Sequence, residues 1–220
     1  MRRTARFLRL ASIAVCLALA GCATTRSEVS IASPAAPAAA ATPTHGIAVI
    51  RSVKDERVFE QAPGEASTPS LGFEGSEKAT ADVKARAIGR KRNTFGAAMG
   101  DVLLREGQTV EGLVRGSLAS ALRQAGYDVR DTADAASDPL LVDARIQEFW
   151  SWLQPGFWAL TTNINLRTAL DLSRGETPVT VSVHAEESHQ MATDSDWIAI
   201  VQKGLEDYSR QVAEKAAGWH

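Results

Sequence analysis

The residues with the most obvious chemical potential stand together in the segment His184-Ala185-Glu186-Glu187-Ser188-His189. A zinc-binding helix places its two histidines four residues apart, so that both project from the same face. Here the histidines are five residues apart. On a strand, where side chains alternate, they would project to opposite faces. The spacing argues against a metal site, and we expect a polar outer strand face that runs into a loop.

Other catalytic patterns are missing from the sequence. It contains no Gly-x-Ser-x-Gly, no Walker loop and no GxGxxG. Asp194-x-Asp196 lacks the glycine and the distal glutamate of a calcium loop, and it fits a helix cap better. The sequence therefore predicts a protein that is not an enzyme, with no catalytic residues, no metal and no cofactor.

An alternative stays open, namely an envelope hydrolase whose site is assembled from distant residues, such as His184 with an outward acid of a neighbouring strand. A cleft that gathers histidine and carboxylates with shifted pKa values would favour this enzyme. A cleft lined by Trp150, Trp152 and aliphatic side chains would favour binding.

Aromatic residues are concentrated around the turn signal Gln154-Pro155-Gly156, which predicts a hairpin tip or strand-end loop. In one interpretation, Phe149 and Trp158 cap the core while Trp150 and Trp152 are half exposed. In the other, the rings form a contact patch for a protein partner, lipid or glycan, because tryptophan is enriched at binding hot spots and membrane interfaces. The candidate contact residues are Phe149, Trp150, Trp152, Phe157 and Trp158.

The N-terminus has the three parts of an export signal. Arginines at positions 2, 3, 6 and 9 precede the apolar stretch Leu10–Ala20, which is followed by Gly21-Cys22. This stretch is too short for a membrane span, which needs about 20 apolar residues. We therefore expect residues 1–21 to be a signal peptide that is removed.

The sequence Leu19-Ala20-Gly21-Cys22 resembles the lipobox of bacterial lipoproteins. The resemblance implies cleavage before Cys22, a diacylglycerol on its sulfur and acylation of its new amino group, for which palmitate is the expected chain. Because residue 23 is alanine and not aspartate, it also implies sorting to the outer membrane, facing the periplasm. Membrane attachment is therefore expected through Cys22.

Composition and charge narrow the class of the mature protein. With 45% hydrophobic and 23% charged residues, the 220-residue chain has the composition of an ordinary globular protein. Removing the four signal arginines from the 24 basic residues leaves 20 against 26 acidic residues, a formal charge of −6. This balance gives no support for nucleic-acid binding.

Residues 22–45 differ in composition from the rest of the chain. Of the 23 residues in Ala23–His45, 18 are alanine, proline, serine or threonine. Such a segment buries too little apolar area to offset the entropy of ordering it. We therefore expect the lipidated Cys22 and a disordered tether up to residue 45, followed by a single globular domain over residues 46–220.

The first half of that domain is the less regular one. Gly46–Ile50 predicts a buried strand, Val58–Gly75 a long loop, and Ser76–Ile88 a short helix. A basic cluster follows, either as a solvated turn that balances nearby acids or as a contact for a phosphate-bearing lipid. Its members are Arg86, Arg90, Lys91 and Arg92.

The second half has clear periodicity. Apolar residues at 3.6-residue spacing predict amphipathic helices over Thr109–Ala125 and Asp196–Ala217. Thr109 is the expected N-cap of the first helix, and Gly126 is the expected glycine after its end. Alternation predicts strands over Leu140–Trp150 and Thr162–Leu172 and a third from Val179. The expected fold is α+β, a two-layer sandwich in which two amphipathic helices pack on one face of a mainly antiparallel sheet. Within the first helix, Gly112 and Gly116 lie on the outer face, where they are either tolerated or closely packed by another segment.

The chain resembles the YajG-like lipoproteins over most of residues 46–218. The resemblance rests on the lipobox, a short first strand that ends in charged residues, Asn93-Thr94-Phe95-Gly96, and a helix that ends in Gly126-Tyr127-Asp128-Val129. It implies a fold and a location but no chemistry. The expected function is a non-catalytic binding or scaffolding module of the cell envelope, whose partner is an unidentified envelope protein, lipid or glycan. By analogy, an auxiliary subunit of an envelope lipid-transport system is the alternative.

Overall fold

The structure, a computed structural model, describes residues 26–32, 43–72, 75–93, 96–132, 134, 138–191 and 193–219. The predicted signal peptide and Cys22 lie outside the described residues. Within them the strands are β1 (Ser27–Val29), β2 (Ile47–Asp55), β3 (Ala87–Arg92), β4 (Ala98–Leu104), β5 (Asp128–Arg130), β6 (Leu140–Pro155), β7 (Leu160–Leu172) and β8 (Val179–His189). The helices are α1 (Ala81–Arg86), α2 (Val110–Gln124) and α3 (Asp194–Ala216).

Strand β6 is the centre of an open, mixed sheet. Along one edge it forms an antiparallel meander with β7 and β8. Its other edge is divided: the first half pairs in parallel with β2, which pairs with β5, and the second half meets β3. Strands β4 and β1 continue the sheet from β3. The predicted α+β class and mostly antiparallel sheet are confirmed, and the parallel joins are additional to the prediction.

Helices α2 and α3 share one hydrophobic core with the sheet. Helix α2 begins as predicted, because the Thr109 hydroxyl accepts a hydrogen bond from the Gly112 N–H at 3.1 Å. It ends at Gln124, and Gly126, which follows the cap residue Ala125, has a φ of 95° that suits this position after a helix. At the start of α3 the Thr193 N–H donates to the Asp196 carboxylate at 2.6 Å. Among the described residues, no helix combines the length and the apolarity needed to cross a membrane.

The predicted tether is wrong over residues 26–32. Strand β1 lies there and pairs in parallel with β4, and Val29 and Ile31 are buried in the core. The side chain of Gln108 holds the Ile31 backbone at both its N–H and its C=O, at 3.1 and 2.7 Å. Val29 and Ile31 are two positions apart, as on one face of a strand, but they are few among residues 23–45. The average composition of that segment therefore does not reveal them. The alanine- and proline-rich residues 33–42 therefore stand between β1 and β2 in the chain.

The predicted helix Ser76–Ile88 is wrong at both ends. Helix α1 covers six residues, and its last turn runs directly into β3. The Ser76 hydroxyl is buried and links two backbone groups of the preceding loop, donating to Glu60 O at 2.7 Å and accepting from the Leu71 N–H at 2.9 Å. Local hydrogen bonding of this kind competes with helix formation.

The basic cluster lies on α1 and β3, where several of its cations meet acidic groups. Arg86 pairs with Glu28 and Asp82, at 3.0 Å in each case. Lys91 pairs with Asp194 at 3.2 Å. These pairs agree with the interpretation that the cluster balances nearby acids.

Candidate functional site

A β-bulge in β6 decides where the predicted aromatic residues point. Ile146 pairs with Thr168 and Glu148 pairs with Arg167, so Gln147 is an extra residue in the ladder. A one-residue insertion exchanges the two faces of a strand for everything that follows. Before the bulge, even-numbered residues of β6 face the helices, and after it odd-numbered residues such as Phe149 do.

Phe149 and Trp150 are both buried, with 0% and 1% of their surface exposed. Phe149 lies in the main core, whereas Trp150 lies on the opposite face of the sheet, under the loop that follows β2. The Trp150 indole N–H donates to Ala66 O at 3.1 Å, and Phe59 contacts the ring edge-on at a centroid distance of 6.0 Å. Neither ring has more than 1% of its surface exposed, so the five-residue patch is wrong at these two positions. The meander is also covered on both faces here, which the sequence did not indicate.

The remaining three rings differ in exposure. Trp152 is half-buried, with its ring centroid 6.0 Å from that of His184. Phe157 and Trp158 are 88% and 83% exposed and contact each other edge-to-face at 4.7 Å. The interpretation in which Trp158 caps the core is therefore wrong. The Gly156 N–H donates to Ala159 O at 2.9 Å and closes the turn that presents the pair.

An exposed methionine lies at the same end of the sheet. Leu160 of β7 pairs with His189 at the end of β8, so Met191 follows β8 towards the tip of the β6–β7 hairpin. We call Phe157, Trp158 and Met191 the apolar tip. Among the described residues, four large apolar side chains are strongly exposed, and three of them form this tip. Grouped apolar exposure of this kind marks an interaction site more often than scattered single residues do.

A cleft of about 400 Å³ lies on the outer face of the sheet, between the loop after β2 and strands β6 and β7. Its wall carries an ion pair in which Arg167 donates to Glu148 at 2.6 Å. Trp150 and Asn165 also line it. The cleft thus combines one aromatic ring with charged groups. Among the described residues it gathers no histidine, as an enzyme site was expected to do, and Trp152 is not part of its lining, as expected for a binding site.

The two histidines of segment 184–189 have different surroundings. His184 projects to the solvent side, where its Nδ1 lies 2.9 Å from the Asn165 side-chain oxygen. Its Nε2 lies 4.0 Å from the Glu186 carboxylate. This exposed pair is the assembly of His184 with an acid that the hydrolase alternative requires, but the acid comes from the same strand and not from a neighbouring one.

His189 lies between an acid and a hydroxyl, in a chain of polar contacts that sequence reasoning missed. Its Nδ1 lies 3.2 Å from the Asp196 carboxylate, and its Nε2 lies 3.0 Å from the Thr162 hydroxyl. The order acid, imidazole, hydroxyl is that of a nucleophilic triad. Thr162, however, is fully buried, and its single hydroxyl proton is donated to Glu187 O at 3.2 Å and not to the imidazole. The chain therefore ties β7, β8 and α3 together, and the capping position of Asp196 was its one sequence signal.

The groups around the Asp196 carboxylate stabilise its ionised form. Partial burial by itself raises the pKa of this carboxyl group, but the N–H and hydroxyl of Thr193 donate to it and His189 lies beside it. Together these groups hold the pKa of Asp196 below its ordinary value. Within the part of the chain that the structure describes, three or more histidine, cysteine or acidic residues never gather closely enough to hold a metal ion.

No family model matches the chain, and no curated protein is significantly similar to it. Similar solved structures include an uncharacterised protein at 11% identity, covering 78% of this chain and 95% of that chain with a TM-score of 0.42. A Xanthomonas campestris protein of family DUF330 has 12% identity, coverage of 88% and 95%, and a TM-score of 0.45. A minor lipoprotein from Acinetobacter baumannii has 11% identity, coverage of 47% and 82%, and a TM-score of 0.33.

Likeness at this level of identity and TM-score assigns neither a family nor a function. Membership of the YajG-like lipoproteins stays a prediction.

Proposed function

We propose that the protein is a non-catalytic lipoprotein of the outer membrane, of the YajG-like kind, which faces the periplasm and acts as a binding or scaffolding module. The observation that carries the proposal is the sequence Leu19-Ala20-Gly21-Cys22 after a basic and then an apolar segment. The two acyl chains of a diacylglycerol and the further chain on the amino group suffice for stable attachment, because each buried CH₂ contributes about 0.8 kcal/mol.

Binding is favoured over catalysis by the two most conspicuous side-chain arrangements. The apolar tip offers exposed aromatic surface, which is the chemistry of contact sites. The Asp196–His189–Thr162 chain ends on a hydroxyl with no exposed surface, where a substrate has no access. The ligand class expected at the tip is a lipid, a glycan or an envelope protein.

The test is metabolic labelling of the expressed full chain with radioactive palmitate. We expect label on the wild type and none on Cys22→Ser. The matched control is Cys16→Ser, which removes the other cysteine of the sequence and is expected to retain the label. Palmitate on Cys22→Ser, or its absence from the wild type, would contradict the anchor.

The location is tested in the same cells. The wild type is expected in the outer-membrane fraction, and Ala23→Asp is expected to move it to the inner membrane. An unchanged distribution of Ala23→Asp would contradict the sorting argument while leaving the anchor intact.

A further inference from the structure

Strand register places the start of the described chain and the hairpin tip at the same end of the sheet. Ser27 pairs with Val102, Val102 with Gly89, and Gly89 with Ser151, so these four residues form one row across β1, β4, β3 and β6. Strand β1 is parallel to β4, β4 is antiparallel to β3, and β3 is parallel to β6. The chain that precedes β1 therefore runs towards the end of β6 that carries the apolar tip.

The distances from this row are closely matched. Five residue steps separate Cys22 from Ser27, so Cys22 lies at most about 18 Å from the row when that segment is fully extended. The four steps from Ser151 to Pro155 carry β6 about 13 Å in the same direction at the rise of a strand, and the turn with the apolar tip lies beyond. The tip thus ends no more than about 5 Å short of the level that Cys22 reaches.

The chemistry of this end suits a lipid surface. Phe157 and Trp158 are almost completely exposed at the turn, and Met191, at the same end of the sheet, is 74% exposed. Aromatic rings with an apolar body and a polar edge concentrate at the level of the lipid headgroups. Strand β6 has 16 residues and spans about 50 Å, which is far more than the gap of about 5 Å between the tip and the farthest level that Cys22 can reach.

We propose that the apolar tip is a membrane-docking face, and that it inserts into the headgroup region of the same leaflet that holds the acyl chains on Cys22. This inference rests on the proposed anchor at Cys22. The anchor and the tip give two contacts with the bilayer at the same end of the sheet, one before β1 and one after β6. The domain therefore stands on the membrane with the end of β6 directed towards it. The far end, with the β7–β8 turn at residues 173–176, faces the periplasm.

A nitroxide label tests the orientation in the lipidated full-length protein. Because the signal carries Cys16 and the anchor uses Cys22, Phe157→Cys supplies a unique free thiol in the mature chain. The matched control is Glu176→Cys, which is exposed in the turn at the opposite end. Both proteins are reconstituted into vesicles of phosphatidylethanolamine and phosphatidylglycerol, and the depth of each label is measured by power saturation against oxygen and a water-soluble nickel complex.

We expect the label at residue 157 to lie about 5–10 Å below the headgroup boundary and the label at residue 176 to remain in water. Protein that does not float with the vesicles would overturn the anchor and, with it, the docking face. Protein that floats while residue 157 stays in water would overturn the docking face alone. A label that is mobile and in water on vesicles but immobilised in native outer membranes would assign the tip to a protein or glycan partner and also overturn the lipid assignment.

Discussion

Replacing Arg57 with leucine removes a buried guanidinium from the place where β6 exchanges one parallel neighbour for another. The Arg57 side chain has no exposed surface. It forms two hydrogen bonds with Asp55, at 2.8 and 2.7 Å. It also donates to three backbone carbonyl oxygens, those of Ala87 at 2.6 Å, Phe149 at 3.0 Å and Lys84 at 2.8 Å. These bonds join the end of β2 to the start of β3 and to β6.

The expected cost follows from what the leucine leaves behind. Removing one partner of a buried ion pair destabilises a protein by about 3–5 kcal/mol, because the other charge stays uncompensated. Each buried carbonyl without a donor adds about 1–3 kcal/mol, which leucine offsets in part through apolar contacts. We therefore expect a loss of at least about 3–5 kcal/mol in the free energy of unfolding, which is a large share of the roughly 5–15 kcal/mol of a typical domain. Arg57→Lys keeps the charge but not the planar guanidinium with its five donors. Its free energy of unfolding should therefore lie between those of the wild type and Arg57→Leu.

Urea unfolding followed by circular dichroism measures this loss. The control is Arg51→Leu, which removes an arginine that is 53% exposed and paired with Asp143 on the surface. Exposed pairs contribute at most about 1 kcal/mol, so the control should unfold close to the wild type. Similar midpoints for Arg57→Leu and Arg51→Leu would refute the reasoning, since they would show that the carbonyl groups find other donors without cost.

Two further predictions concern helix packing and pH. A Cβ on Gly204 of α3 would lie 2.9 Å from Ile164, whereas no described atom lies within 4 Å of one on Gly116 of α2. The urea midpoint should therefore fall for Gly204→Ala, with an overpacking cost of about 1–3 kcal/mol. For Gly116→Ala it should stay equal or rise. A fall for both variants would mean that another segment covers Gly116. Because the folded-state pKa of Asp196 is lowered, its contribution to stability is complete above the unfolded pKa of about 4 and is lost as the pH falls through the lower folded value. Asp196→Asn should thus lose less stability than the wild type between neutral and acid pH in urea titrations, and equal losses would contradict the assignment.

Periodic elements were predictable because their signal repeats along the chain. Helix α2 has an apolar residue at each core-facing turn, a threonine before it and a glycine after it, and the structure places its cap at Thr109 as expected. The meander of β6, β7 and β8 was predicted for the same reason, with Ile164, Val181 and their alternate neighbours in the core.

The candidate site was harder to predict because a single residue redirects it. No feature of the local sequence marks Gln147 as the extra residue of a β-bulge. Its insertion nevertheless turns Phe149 towards the helices and Trp150 away from them. Trp150 is then buried because the loop after β2 folds over that face, and loops without periodicity give no sequence signal for such a cover. Arg57 belonged to a charged run that resembled a solvated surface, and its burial depends on carbonyl groups from two distant segments, the α1–β3 junction and β6.

The position of β1 changes what the alanine- and proline-rich segment can do. A tether of 23 residues would let the domain move far from its anchor, so that no face of the domain would be preferred. With β1 paired at residues 27–29, the anchor is joined to the sheet by a few residues, and the long segment becomes a connection within the domain. Strand β1 also covers the edge of β4, which would otherwise offer unpaired backbone groups to another chain. Because Val29 and Ile31 complete the core from this edge, the segment next to the proposed anchor is also part of what folds the domain. If Cys22 carries the anchor, the sheet itself would set the orientation on the bilayer.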